Sequence, residues 1–325
     1  MRVAWYDRTG PAHEVLQLGD WPDPEPGPGE VRVRVAVSGA NPSDWKTRSG
    51  VRPLMFPRVI PHSDGAGTID RVGPGVPAER IGERVWLWNG QWKRPHGTAA
   101  EYIALPSEQA VRLPDAVSFD AGASLGIPAL TAYRAVTIDG PVAGQTVLVT
   151  GGAGAGGLYA VQFARALGAA RVLATVSTPE KAKLALSAGA EAAIDYRTEP
   201  VAERVLALTG GRGVDRVVEV DLAADAPLLP KILAENGLCA VYGSDAQEIR
   251  MDFGPMLFRG IALRFFLVYA LAAGPRRQAI ADITRWMEEG RIAHPPVRHF
   301  PLSAIAEAHE AMEKGAIIGK ALLTL

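Results

Sequence analysis

At 325 residues the chain exceeds one ordinary core and points to about two domains, with the 48% hydrophobic and 21% charged content of a globular protein. Its 34 basic and 35 acidic side chains nearly cancel, which excludes a global field drawing it to nucleic acid or an anionic membrane. No apolar run nears the ~18 residues that span a bilayer, the opening Met1–Asp7 lacks a signal-peptide core, and a single cysteine excludes an internal disulfide, so the cytoplasm is the expected compartment.

Up to about residue 110 the chain reads as β-rich. Pro22–Gly29, rich in proline and glycine, is an extended or turning connector. Val31, Val33, Val35 and Val37 then alternate with Arg32, Arg34 and Ala36, the pattern of a half-buried strand. Short strands are expected at Gly67–Val72, Glu83–Trp88 and Ala99–Leu105, each bounded by Gly or Pro. From about Asp120 to Gly243 strands alternate with helical segments. The strands are Val147–Thr150, Arg171–Val176, Ala192–Asp195, Asp215–Val220 and Leu238–Tyr242, and Cys239 in the last reads as a small core residue. Parallel strands need such crossovers, so the block is a doubly wound α/β sheet. Ile261–Tyr269 then reads as strand, Arg276–Glu289 and Leu302–Glu313 as helices, and Ala321–Leu325 as a closing strand. The natural parse is a nucleotide domain at 122–261 inserted between two parts of a β-rich domain, 1–121 and 262–325.

The most informative stretch is Val147-Leu-Val-Thr-Gly-Gly-Ala-Gly-Ala-Gly-Gly-Leu158, which leads from strand through a glycine-rich turn into an alanine-rich helical segment. Gly152, Gly154 and Gly157 fit G-x-G-x-x-G in the context that gives the motif meaning, with Ala155 and Gly156 inside it. The first glycine is expected to permit the turn, the second to let backbone approach a diphosphate, and the third to let helix and strand pack closely. Main-chain N–H groups at the helix start then face the phosphates.

A site for NAD places an acid at the end of the second strand, roughly 20 positions on. That strand instead ends in Ser177 and Thr178, the latter a helix cap before Pro179. Lys181 beside a helix N-terminus is electrostatically awkward unless an anion sits nearby, and a 2′-phosphate is such an anion. Tyr196 and Arg197, after the third strand, can reach the same place. The alternative for Lys181 is an ordinary solvated helix residue. The missing acid favours NADPH over NADH.

Several further segments carry a family resemblance. They are Asn41-Pro-Ser-Asp-Trp-Lys-Thr-Arg-Ser-Gly50, His62-Ser-Asp-Gly-Ala-Gly67, Gly97-Thr-Ala-Ala-Glu-Tyr102, Leu125-Gly-Ile-Pro-Ala-Leu-Thr-Ala-Tyr-Arg134, Val220-Asp-Leu-Ala-Ala224 and Ile318-Gly-Lys320. Over nearly its whole length the chain resembles the zinc-free quinone oxidoreductases, the zeta-crystallin group of the medium-chain dehydrogenase/reductase superfamily. The resemblance implies a Rossmann sheet inserted in a GroES-like catalytic domain, NADPH in the cleft, and a homodimer paired through the Rossmann domains. It also implies a small quinone or enone substrate. A protein that keeps NADPH without turnover is the reading from a different class.

The superfamily's zinc enzymes use cysteine, a His-Glu pair and a further cysteine or acid. Here Asn41 stands at the first position and Ser63-Asp64 at the pair, His62 is one residue early, and His13, His96, His294, His299 and His309 show no ligand spacing, so no metal is expected. Without a Lewis acid the acceptor must supply its own electron demand, as quinones and enones do. By carry-over, Asn41 and Lys46 are the expected donors to the developing oxyanion. Lys46 replaces the tyrosine of well-known members and has the alternative of an ordinary solvent-facing side chain, and Asp44 reads as a turn anchor. Carry-over also assigns Thr131, Tyr242, Gly243, Ser244, Phe266, Val268 and Lys320 to the cofactor. Ser244 has the alternative of capping the next turn. Asp221 stands where an asparagine is expected.

Overall fold

In the computed structural model, which describes residues 1–325, the chain divides into two units, Met1–Ile127 with Ile280–Leu325, and Pro128–Ala279. In chain order the strands of the first segment are β1 (Arg2–Trp5), β2 (Gln17–Asp20), β3 (Glu30–Ala40), β4 (Asp64–Val72), β5 (Arg84–Leu87), β6 (Tyr102–Pro106) and β7 (Ala110–Arg112). The second unit holds β8 (Thr146–Val149), β9 (Arg171–Val176), β10 (Ala192–Asp195), β11 (Val214–Glu219), β12 (Leu233–Val241) and β13 (Ala262–Phe265). The closing segment adds β14 (Val297–Pro301) and β15 (Lys320–Thr324).

In the first unit β1 and β2 pair antiparallel, and seven strands form the main sheet in the order β14-β15-β3-β4-β5-β7, with β6 also on β3. The valines of β3 face the core as the alternation requires, but Arg32 between them is buried too. Its guanidinium makes a two-pronged bond to Asp70 at 3.0 and 2.7 Å and lies over the Tyr102 ring, so its charge is matched where it is desolvated. β15 pairs antiparallel with β3 in the register Ala321↔Ala40, which brings Lys320 beside Asn41 across 279 residues of sequence. The Pro42–Ser49 helix starts from Asn41 in a capping box: Asn41 is the cap and Asp44 accepts from its N–H at 2.7 Å.

All six strands of the second unit are parallel, in the order β10-β9-β8-β11-β12-β13. The order reverses direction between β8 and β11, and ligands of such sheets bind outside the strand ends at that switch point. Leu148, Leu173, Val217 and Cys239 fill the core between the sheet and its helices. Arg216, buried in β11, donates to the carbonyls of Val136 at 2.5 Å and Ile138 at 2.8 Å, which satisfies the end of the Gly126–Thr137 helix.

The boundaries differ from the expected parse. β13 hydrogen-bonds to β12, so the segment after 261 continues the parallel sheet, and the second unit runs on to Ala279. The expected strand Ile261–Tyr269 stops at Phe265, after which Val268–Ala270 forms a 3-10 turn. The helix expected from Arg276 begins at Ala273, and Leu302–Ala304 is a 3-10 turn leading into the Ile305–Glu313 helix. No helix is long and apolar enough to cross a membrane.

Candidate functional site

The glycine turn after β8 divides the conformational work differently from the expectation. Gly151, at φ +62°, makes the left-handed turn that the reading placed at Gly152. At Gly152 the constraint is space, since a Cβ there would lie 2.6 Å from the Ala174 Cβ on β9. Gly151 and Gly152 N–H groups donate to the Thr175 hydroxyl (3.1 Å) and carbonyl (2.9 Å), stitching the turn to β9. The Ala155–Ala166 helix then begins with Gly154 as its cap. Gly157 has the role expected of the third glycine: a Cβ would sit 2.2 Å from the Gly151 carbonyl oxygen. At Gly154 a Cβ would meet no protein atom closer than 3.4 Å, and at Gly156 none closer than 3.8 Å. The open positions thus lie at the helix start, where Ala155, Gly156 and Gly157 are the first residues and helix N–H groups lack intrahelical partners. This is a cradle suited to a diphosphate.

At the neighbouring strand end, Thr178 caps the Pro179–Ser187 helix by accepting from the Lys181 N–H at 3.2 Å. The Lys181 side chain folds back so that Nζ donates to the Ser177 Oγ at 3.0 Å. Tyr196 follows β10, and its N–H donates to the Val176 carbonyl at 3.1 Å. Ser177, Thr178, Lys181 and Tyr196 therefore share one strand-end corner, with hydroxyls at the end of β9 and Glu180 and Lys181 in the first turn of the helix that follows.

Thr131 lies on the Gly126–Thr137 helix, and its buried Oγ1 has no hydrogen-bond partner, an orphan that suits a ligand. The Tyr242 ring packs obliquely at 6.2 Å from Phe266, and its hydroxyl would be 3.9 Å from a Cβ at Gly156. Burial, then the charge of Glu219, pushes the Tyr242 phenol far above its usual range. Gly243 is required for close approach, because a Cβ would lie 2.1 Å from the Val220 carbonyl. The Phe266 N–H is taken by the Val241 carbonyl at 3.2 Å, and Val268 is buried at the start of its 3-10 turn. Ser244 takes the capping alternative: its Oγ donates to the Ala246 carbonyl at 2.8 Å and accepts the Ala246 N–H at 3.2 Å. Asp221 ties the same turns together, accepting from the Asp245 N–H at 2.9 Å.

In the first unit two of the assigned residues are engaged with other side chains. Asn41, expected as a donor to substrate, is 2% exposed, and its Nδ2 donates to Asp64 Oδ2 at 2.8 Å and to the Gly39 carbonyl at 3.4 Å. Lys320, expected at the cofactor, is equally buried; its Nζ donates to Asn41 Oδ1 at 2.6 Å and Asp64 Oδ2 at 2.8 Å. Asp64 Oδ1 accepts from the Ile127 N–H at 2.8 Å, an approach possible because residue 126 is glycine; a Cβ there would lie 2.2 Å from that oxygen. Lys320 thus serves as a fixed cation closing the carboxylate and amide that stand at the expected metal-ligand positions. No three His, Cys, Asp or Glu side chains converge as a metal site. An amide, a carboxylate and an ammonium do not make a zinc donor set. Asp44 anchors its turn as expected, and burial raises its carboxyl to about 7. Lys46, on the same helix, is half-buried with Nζ 5.6 Å from the Trp45 ring centroid.

Two buried groups escaped the sequence reading because their partners are distant in the chain. His62, at φ +76°, meets His309 Nε2 to Nε2 at 2.9 Å, and its Nδ1 is 2.9 Å from Ser38 Oγ. Thr98 must donate to the Asp64 carbonyl at 2.5 Å, so Ser38 donates to Thr98 at 2.8 Å and accepts from His62 Nδ1–H. His309 is then the donor to His62, and both rings are neutral; burial, then nearby Arg48, lowers His309 to about 3. The second group is Glu219 at the end of β11, fully buried. Thr150 Oγ1 donates to its Oε1 at 3.1 Å and the Asp221 N–H at 2.6 Å. Burial, then the charge of Asp225, raises its carboxyl to about 8.

Comparison with known proteins agrees with this architecture. Residues 27–115 match the alcohol dehydrogenase GroES-like domain and residues 156–289 the zinc-binding dehydrogenase model. The chain is 32% identical to the quinone oxidoreductase of Homo sapiens over 333 residues, covering 99% of this chain and 97% of the relative. Among solved structures, an NAD-dependent alcohol dehydrogenase superposes with TM-score 0.90 at 31% identity, each chain covered completely. The Escherichia coli quinone oxidoreductase complexed with NADPH superposes with TM-score 0.89 at 27% identity, again over both whole chains.

Proposed function

The chain belongs to the quinone oxidoreductase family of the medium-chain dehydrogenase/reductase superfamily, and from that premise we propose that it is a zinc-independent, NADPH-dependent reductase of quinones. The observation that carries the cofactor choice is Lys181 Nζ held on Ser177 Oγ at 3.0 Å, a cation where an NAD site needs an acid. Ser177, Thr178, Lys181 and Tyr196 are the residues that would hold a 2′-phosphate. Gly154, Ala155, Gly156 and Gly157 would receive the diphosphate, and the orphaned Thr131 hydroxyl would meet the nicotinamide end. Tyr242 and Gly243 would flank the glycine cradle, and Phe266 and Val268 would offer backbone groups.

A reduced nicotinamide, when bound, supplies a hydride to an electron-poor acceptor. Activation of that acceptor falls to the substrate itself, because the ammonium of Lys320 closes the amide and carboxylate that would otherwise face a metal. Lys46 is the remaining candidate to stabilise negative charge on the acceptor oxygen, and Asn41 acts as a positioning residue that caps the Lys46 helix. A homodimer is supported by the edge strand β13, which leaves Phe265 66% exposed, with Phe253, Leu257 and Phe258 exposed in the helix just before it.

The test is a panel of quinones and enones offered to purified protein while NADPH absorbance is followed. Rapid oxidation by quinones is expected. Turnover confined to enones would move the substrate assignment to α,β-unsaturated carbonyls, and saturable NADPH binding without turnover by any acceptor would favour a binding protein. One zinc per chain by plasma emission would overturn the metal-free reading.

A further inference from the structure

Glu219 is the least expected residue near the switch point. It ends β11, next to the end of β8, at the place where the strand order reverses. Its Oε1 accepts from two turns at once: the Thr150 hydroxyl that leads into the glycine loop, and the Asp221 N–H that opens the turn after β11. The Thr150 hydroxyl also receives the Val220 N–H at 3.0 Å. One carboxyl therefore staples together both turns that frame the switch point.

The other oxygen, Oε2, is buried and receives no hydrogen bond from the protein. The neighbouring side chain coupled to this carboxyl is another acid, Asp225 of the Leu222–Asp225 helix. Two ionised carboxylates accept only, so such a pair closes with one proton between them. Every titratable group facing Glu219 is itself acidic. Asp225 faces it from that helix, with Asp221 of the turn acting on Asp225 in turn, Cys239 from β12, and Tyr242 from the residue after β12. No basic side chain stands among them to offset a charge on Glu219.

We propose that Glu219, in its protonated form hydrogen-bonded to Asp225, is a positioning residue that holds the Thr150–Gly151 and Val220–Asp221 turns for the dinucleotide. Loss of that proton leaves an unbalanced anion beneath the site that must receive a diphosphate, and two repelling carboxylates beneath the staple. Nucleotide binding thus favours the protonated pair and weakens as pH rises. The inference rests on the dinucleotide occupying the switch point, as set out under the proposed function.

NADPH dissociation constants, measured by fluorescence titration for wild type, Glu219→Gln and Asp225→Asn between about pH 6 and about pH 9, test it. Glutamine keeps an acceptor for Thr150 and Asp221 and supplies the donor that Asp225 needs, but cannot ionise. The wild-type constant should rise about tenfold more than that of Glu219→Gln across the range. Asp225→Asn removes the neighbouring charge that raises Glu219, so its rise should begin at lower pH than that of wild type. Titration of the 2′-phosphate is common to all three proteins and cancels in the ratio. A purely structural Glu219 would lower affinity equally at every pH, and parallel curves for wild type and Glu219→Gln overturn the proposal. No NADPH binding by wild type at any pH overturns instead the nucleotide reading on which it stands.

Discussion

Gly154 and Gly157 lie three residues apart in one loop, yet a side chain at each should fail for opposite reasons. At Gly154, with φ −70° and ψ 164°, the backbone is extended and any residue can adopt it. The nearest atom to an added Cβ is 3.4 Å away, an ordinary contact. Gly154→Val loses a favourable helix cap, about 1 kcal/mol, and recovers about 0.4–1 kcal/mol from a less flexible unfolded chain, so stability should barely change. The isopropyl group would cover the helix N–H groups meant for the diphosphate. Losing two charge-assisted hydrogen bonds at about 1.5–3 kcal/mol each weakens binding by a factor on the order of a hundred or more. At Gly157 the added Cβ would lie 2.2 Å from the Gly151 oxygen and 2.8 Å from the Gly152 Cα, backbone atoms that cannot rotate away. Gly157→Ala should therefore cost about 1–3 kcal/mol of folding stability by overpacking. Urea unfolding and NADPH fluorescence titration on both variants separate the effects. Wild-type affinity in Gly154→Val, or wild-type stability in Gly157→Ala, would refute the reasoning.

Lys181→Ala should weaken NADPH by about 1.5–3 kcal/mol while leaving NADH nearly unaffected, as competition titrations would read; equal losses remove Lys181 from the phosphate corner. Lys320→Met leaves the buried Asp64 carboxylate without its cation and should cost about 3–5 kcal/mol in denaturant unfolding, and adding Asp64→Asn should recover much of the loss. Additive losses would argue against the pairing. For Glu219 the folded-state carboxyl is raised from 4.5 to about 8, so its contribution is fully present below about pH 4.5 and is lost as pH climbs toward 8. Glu219→Gln should accordingly gain stability relative to wild type across that window, and a pH-independent difference between the two would count against the raised carboxyl. Lys46→Met should lower turnover more than NADPH affinity in steady-state kinetics, and unchanged kinetics would return Lys46 to a structural role.

Local chemistry made part of this molecule readable in advance. The valine alternation of β3, the strand-to-glycine-to-helix run after β8, and the Thr178-Pro179 helix start each depend on neighbours within a few residues, so one-dimensional order suffices to reveal them. The parallel character of the middle sheet followed from its crossovers, and the nearness of Ser177 and Lys181 from their places on either side of the Thr178 helix cap. Even there, the left-handed turn fell on Gly151 rather than Gly152, because which glycine turns and which merely makes room depends on Ala174 of the adjoining strand.

Other features were decided by tertiary structure alone. Asn41 and Lys320 were assigned to substrate and cofactor by carry-over, and only the β3–β15 pairing reveals that both also hold Asp64. His62 finds His309 across 247 residues, and Glu219 gains its unusual character from Thr150, Asp221 and Asp225. A sequence states which groups can donate, accept or ionise. Burial and the company of distant side chains decide whether those groups remain available, because a desolvated polar atom must satisfy itself with whatever the fold places beside it.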